Sequence, residues 1–180
     1  TEGTLHGEQV GVCTIAVADL YHRMAAIDDI AAYAKPFKPL DAETLSKHFG
    51  EALAYRLLDE NTPDCLEQVS TDTLIRLWPQ VQRIILEMPD PATLADALAS
   101  IGAKTKMEEL GVSGAQLPRM FQLSPMLCNR LTLTRLIRML QFRYVNKVAS
   151  SRATSRKSRD ADKAITRTGK SNAVSASSMR

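Results

Sequence analysis

Apolar positions along this chain fall at helical spacing almost from the start. Over residues 10–24, Val10, Val12, Cys13, Ile15, Ala16, Val17, Ala18, Leu20 and Tyr21 leave hardly any polar face. A helix that is apolar nearly all round belongs inside a protein or at a large interface. From residue 42 onward, Leu45, Phe49, Leu53 and Leu57 recur every four residues, which is one helical face. A third run carries Leu74, Leu77, Trp78, Val81, Ile84, Ile85 and Met88 at spacings of three and four, with Pro79 inside it. Pro79 either kinks that helix or opens a second one at its first turn. Pro89 and Pro91 close the run, and a short helix over 92–101 ends at Gly102. The last helical stretches are 113–123 and 131–144, the latter turning Leu133, Leu136, Ile137 and Leu140 inward. Strict apolar–polar alternation is missing, so residues 1–144 are expected to form an all-α, multihelical body, helical throughout.

Composition sharpens the picture in two places. With 180 residues, 44% hydrophobic and 24% charged, one domain is the natural count, and it can bury a core without disulfides. Cys13, Cys65 and Cys128 are odd in number, widely spaced and contain no CxxC pair. Together with the lack of a signal-like start or an apolar run of about 20 residues, this predicts a cytoplasmic protein without a membrane span.

The second point is charge. Nine of the 23 Lys and Arg residues fall in 145–180 against two acidic residues, Asp160 and Asp162, whereas 1–144 is mildly acidic. The basic pI near 8.8 therefore belongs to a tail that has almost no large apolar residues to offset its ordering entropy. The tail is read as a disordered extension of the domain. Anchoring of nucleic acid through it, by counterion release, is the less favoured reading.

Candidate chemistry is sparse. His48, in an amphipathic run beside Lys47, reads as a surface or boundary residue, and His22 reads as a cation at the end of the first helix. His6 differs through its neighbours Gly7, Glu8, Gln9, Val10 and Gly11, because the two glycines leave the backbone open to close approach. His6, Gln9, Val10 and Cys13 share one helical face. Seven residues separate His6 from Cys13, about 10 Å along a helix axis, too far for one ion whose ligands lie about 2.0–2.3 Å away. Gln9 is a poor zinc ligand. His6 can therefore supply one ligand of a metal site and never the whole of it. No Ser-His-Asp or Cys-His arrangement, phosphate loop or dinucleotide fingerprint is present.

The segment His6-Gly7-Glu8-Gln9-Val10-Gly11 resembles the metal-dependent dehydrogenase superfamily of glycerol dehydrogenase, sn-glycerol-1-phosphate dehydrogenase and 3-dehydroquinate synthase. A second block runs from Ile101 through Gly102-Ala103-Lys104-Thr105-Lys106-Met107-Glu108-Glu109-Leu110-Gly111 to Val112. It is similar to the GAPT-x-x-ELG segment of the glycerol-1-phosphate dehydrogenase branch. A third, Asn129-Arg130-Leu131-Thr132-Leu133, resembles the R-Y-T-hydrophobic segment before that branch's last helix. The three blocks agree in order and rough spacing over residues 3–140.

The resemblance implies the C-terminal helical domain of a two-domain enzyme, with an NAD(P)-binding domain and two further metal ligands, an Asp and a His, upstream of Thr1. His6 is the remaining ligand to zinc or another divalent metal, which polarises the substrate oxygen during hydride transfer. Glu8 and Gln9 are candidates to orient it. The implied reaction interconverts dihydroxyacetone phosphate and sn-glycerol 1-phosphate, a phosphorylated polyol, for phospholipid biosynthesis in a homo-oligomeric oxidoreductase. As an isolated chain the domain is expected to be catalytically silent. Two residues depart from the pattern. Lys104 replaces a proline and is read as loosening a loop, and Leu131 replaces a tyrosine, removing a hydroxyl from a packing or pocket position. A 3-dehydroquinate synthase-like fragment and a non-catalytic helical interaction module are the alternatives.

Overall fold

The first helix, α1 (His6–Ala25), organises the molecule. In this computed structural model, which describes residues 3–141, Val12, Ala16, Leu20 and Met24 form a stripe at four-residue spacing that runs down its buried side. α4 (Thr71–Leu86) and α5 (Pro91–Ser100) pack against it. Leu74 and Trp78 from α4 enter the same core, closed by Phe121, Ile137, Met139 and Leu140 from the last third of the chain. Trp78 Nε1 and Gln82 Nε2 donate to Ile27 O (3.4 Å) and Ala25 O (2.7 Å), so α4 satisfies carbonyls that the end of α1 leaves free.

The remaining helices are α2 (Ala42–Phe49), α3 (Glu51–Glu60), α6 (Leu117–Leu123) and α7 (Leu133–Leu136). Short 3₁₀ turns lie at Met107–Leu110, Gly114–Gln116, Ser124–Met126 and Ile137–Met139. Helix starts are chemically marked. Asp41 accepts from Thr44 N, Ser70 from Thr73 N, Asp90 from Ala92 N and Thr93 N, and Thr132 from Arg135 N. Among the described residues the only ladder-like pairing is one antiparallel bridge between Ala34 and Leu140. The body is all-α, as its periodicity predicts. No helix of the described residues is long and apolar enough to cross a membrane. The basic segment 145–180, read above as a tail, lies outside the described residues.

Several expectations need correcting. The four-residue repeat from Leu45 to Leu57 is not one helix but two, broken at Gly50, whose φ of 79° and ψ of 158° end α2 and precede α3. That region of backbone space is open essentially to glycine alone. An added Cβ would meet nothing within 4 Å, so the constraint is conformational. Gly50→Ala should cost about 1–3 kcal/mol in urea unfolding, and an unchanged midpoint would show that the α2–α3 corner relaxes freely.

Pro79 does not open a new helix, because α4 runs through it as one 16-residue element. The segment between α1 and α2 is not helical; its turns let Lys35 N donate to Met139 O (2.8 Å) and Gln141 N to Tyr33 O (2.8 Å). The expected helix over 131–144 is shorter, ending in the 3₁₀ turn at Met139 before Leu140 turns extended to pair with Ala34. Ile137 and Leu140 are buried as predicted, and Leu133 and Leu136 pack against the same core.

Candidate functional site

His6 is the first residue of α1, where Glu8 Oε2 accepts from Leu5 N (3.1 Å) and fixes the entry of the chain. The imidazole is exposed and makes no hydrogen bond or ion pair among the described residues. Around it the helix is bare on one side. Gly7, Val10, Cys13 and Thr14 are exposed there, Val10 by half, and Leu5 just before the helix by 73%. The apolar character of α1 is thus used for the core from Val12 onward, whereas the opposite side of its first turns presents an uncovered apolar face with a histidine at its edge.

The two glycines divide. A Cβ on Gly11 would sit 3.0 Å from Leu98 Cδ1, so its missing side chain is what lets α5 close on α1. Gly7 meets nothing within 4 Å. No described residue uses the access that Gly7 leaves.

Glu8 was a candidate to orient His6, but its carboxylate is engaged elsewhere. Besides capping Leu5 N, Glu8 Oε2 pairs with Lys104 Nζ at 3.2 Å, both side chains being half-buried. Lys104 therefore does not loosen its loop; it ties that loop to the start of α1. The second block is held by its own residues as well. Glu109 Oε2 accepts from Thr105 N (2.9 Å) and Lys106 N (2.8 Å), bonds that hold its carboxyl below the usual carboxylate range. Gly111 then leaves the 3₁₀ turn at a φ of 75°.

In the third block Asn129 clamps the loop after α3, accepting from Cys65 N (2.9 Å) and donating to Pro63 O (2.8 Å), while Thr132 caps α7. Leu131 is 62% exposed. It faces solvent, so a tyrosine hydroxyl is not lost from a buried pocket there.

Histidines 22 and 48 stay apart from this region's chemistry. His22 lies in the last turn of α1 with Nε2 buried and unpartnered, and His48 packs edge-on against Phe49 with Nδ1 in the same condition. Both are half-buried, which fits the boundary reading of His48 and the place of His22 in the last turn of α1. Among the described residues, no group of three His, Cys, Asp or Glu side chains stands together to hold a metal ion. The residues present fit one corner of such a site, His6. The three thiols are free, Cys13 and Cys128 exposed and Cys65 half-buried.

Sequence reasoning missed a buried polar cluster centred on Arg135. Arg135 is fully buried and uses all five of its N–H donors: Nε and Nη2 to Asp64 (3.2 and 2.7 Å), Nη2 also to Asn61 Oδ1 (2.7 Å), and Nη1 to Pro125 O (2.6 Å) and Cys128 O (2.8 Å). Asn61 Nδ2 in turn donates to Leu57 O and Met126 O. Arg138 shares the Asp64 carboxylate. Burial pushes the Asp64 carboxyl up, but the Arg138 hydrogen bond, the Leu66 N–H and the Arg135 hydrogen bond together hold it below its ordinary value. The cluster joins the end of α3, the turn after α6 and α7. The one signal for it was an arginine at an inward position of the apolar run Leu133–Leu140, where a charge is buried only if it is paired.

The chain matches no protein-family model, no curated protein and no solved structure.

Proposed function

We propose that this chain is the metal-side helical domain of an NAD(P)-dependent, metal-dependent oxidoreductase resembling sn-glycerol-1-phosphate dehydrogenase, acting on a phosphorylated polyol. The observation that carries the reading is the Glu8–Lys104 pair, which brings the segment around His6 against the segment around Lys104 and Glu109, two of the three stretches on which the resemblance rests. The lysine of that pair stands where the pattern has proline, so the support lies in the packing of the two stretches into one region, not in the pair's chemistry. The exposed imidazole at the start of α1, with bare Gly7 beside it, leaves room for a metal and for further ligands from another part of the protein.

On this reading His6 is one ligand of a divalent metal, and the metal's part is to polarise the substrate oxygen. Glu8 and Lys104 position His6 through the backbone of the first turn, and Gly11 keeps α5 close enough to brace that turn. With the resemblance come a cytoplasmic, homo-oligomeric enzyme and a place in phospholipid biosynthesis. On this reading the described residues supply one ligand, His6, and catalysis needs the remaining ligands and the cofactor domain as well.

A second reading rests on a separate observation. Leu5 and Val10 are exposed beside His6, and an uncovered apolar face is the mark of an interface. It makes the chain a helical interaction module with His6 at the rim. A 3-dehydroquinate synthase relative accounts for the His6 segment but less well for the other two blocks.

The test is turnover by the product of the complete reading frame, supplied with zinc and either nicotinamide cofactor. Oxidation of NADH or NADPH on adding dihydroxyacetone phosphate, abolished by a chelator and restored by zinc, is the expected result. Consumption of the 3-dehydroquinate synthase substrate instead would move the protein to that branch. A self-associating product that turns over neither substrate would leave the interaction module.

A further inference from the structure

We propose that the cavity between the 35–41 segment and the last third of the chain binds a small organic phosphate, its phosphate held at Lys35, Lys38 and Arg138. The cavity measures about 320 Å³, within the range of small-molecule sites. Three cationic side chains line it, against one carboxylate, Asp41. That carboxylate is already taken up by Thr44 N (2.7 Å) and Thr44 Oγ1 (2.8 Å). Arg138 reaches Asp64 behind the wall, but Asp64 is shared with the buried Arg135, so one carboxylate faces two guanidinium groups. Lys35 and Lys38 make no ion pair among the described residues. The lining therefore carries surplus positive charge that the described residues do not balance.

The surplus is costly where it stands. Lys35 is half-buried, and burial, followed by repulsion from Lys38 and Arg138, holds its ammonium below the usual lysine value. A doubly charged phosphate would remove that repulsion. Gln122, also on the lining, has a side-chain amide nitrogen buried without a partner, a donor that an anionic oxygen would satisfy. Phe121, Pro125 and Ile137, all buried, form an apolar floor suited to the ligand's carbon part. Arg138 is braced for the role. It stacks over the Phe37 ring with 5.1 Å to the centroid and donates through Nη2 to Lys38 O (2.9 Å).

This site is separate from His6 and does not depend on the metal reading. Thr134, on the cavity wall, donates its backbone N–H to the Tyr21 hydroxyl (3.4 Å) near the far end of α1, a helix whose 20 residues span about 30 Å.

The experiment is a titration of the full chain with inorganic phosphate and with phenyl phosphate, read residue by residue in ¹⁵N-edited NMR against sodium chloride of equal ionic strength. Saturable shifts at residues 35–41 and 134–140 are expected, with phenyl phosphate the tighter ligand. In the Lys35→Met, Lys38→Met double variant, binding should weaken at least about tenfold, the worth of one charge-assisted hydrogen bond. The variant's melting temperature, not lower than that of the parent, serves as the folding control. Shifts that sodium chloride reproduces, or phosphate binding unchanged in the double variant and mapped to 145–180, would overturn the proposal. Phenyl phosphate binding no tighter than phosphate would overturn the organic part of it.

Discussion

Asp64→Ala should destabilise the protein by about 3–5 kcal/mol, the usual consequence of removing one partner from a buried ion pair. Among the described residues the carboxylate is the only counter-charge that Arg135 touches, and Arg138 leans on it as well. Without it a fully buried guanidinium keeps its hydrogen bonds to Asn61, Pro125 and Cys128 but loses its charge partner. Against a total stability of about 5–15 kcal/mol for a domain, that loss is a fifth or more of the whole. Urea unfolding followed by far-ultraviolet circular dichroism measures it. A loss under about 1 kcal/mol, the level of an exposed ion pair, would mean that water reaches the cluster.

The same cluster sets an acid limit. Because Asp64 is held below its unfolded value of 3.8, the unfolded state takes up the proton first as pH falls, and stability drops with it. The contribution is fully present above the unfolded value and disappears as pH falls through the folded one. Asp64→Asn should therefore flatten the acid limb of stability against pH below about pH 4, while lowering the neutral plateau.

His6→Ala is expected to leave stability alone and remove activity. The imidazole is exposed and unbonded within the described residues, so its loss should move the unfolding free energy by no more than about 0.5 kcal/mol. In the complete enzyme that we propose, losing a ligand should release zinc, and with it several kcal/mol of charge stabilisation, or about a thousandfold in rate. Zinc content and turnover of the variant are both measured on dialysed protein. Full activity with full zinc would remove His6 from the site. A collapse of stability would make it a structural residue.

Much of the fold was legible because burial in helices leaves a periodic trace. Val12, Ala16 and Leu20 of the first run and Leu74, Trp78 and Ile85 of the third were placed on apolar helices by spacing, and each is buried. Boundaries were harder. Leu45 and Leu57 keep a perfect four-residue repeat across Gly50, and period alone does not register a corner at which both flanking helices bury the same kind of residue. The candidate site was partly legible. The segment around His6 announced itself by its glycines, but Lys104 looked like an irregularity because its partner Glu8 lies far away in the chain.

Spacing along the chain was enough to fix the helical class, the apolar nature of α1 and α4, and the single-ligand limit on His6. All of these depend on neighbours within a few turns, where spacing is geometry. The Arg135 cluster, the Glu8–Lys104 tie, the closure of Leu98 on Gly11 and the cationic cavity were decided only by tertiary structure. Each joins residues from separate elements, and the free energy of bringing charges together in a low-dielectric interior depends on distances that no local pattern encodes.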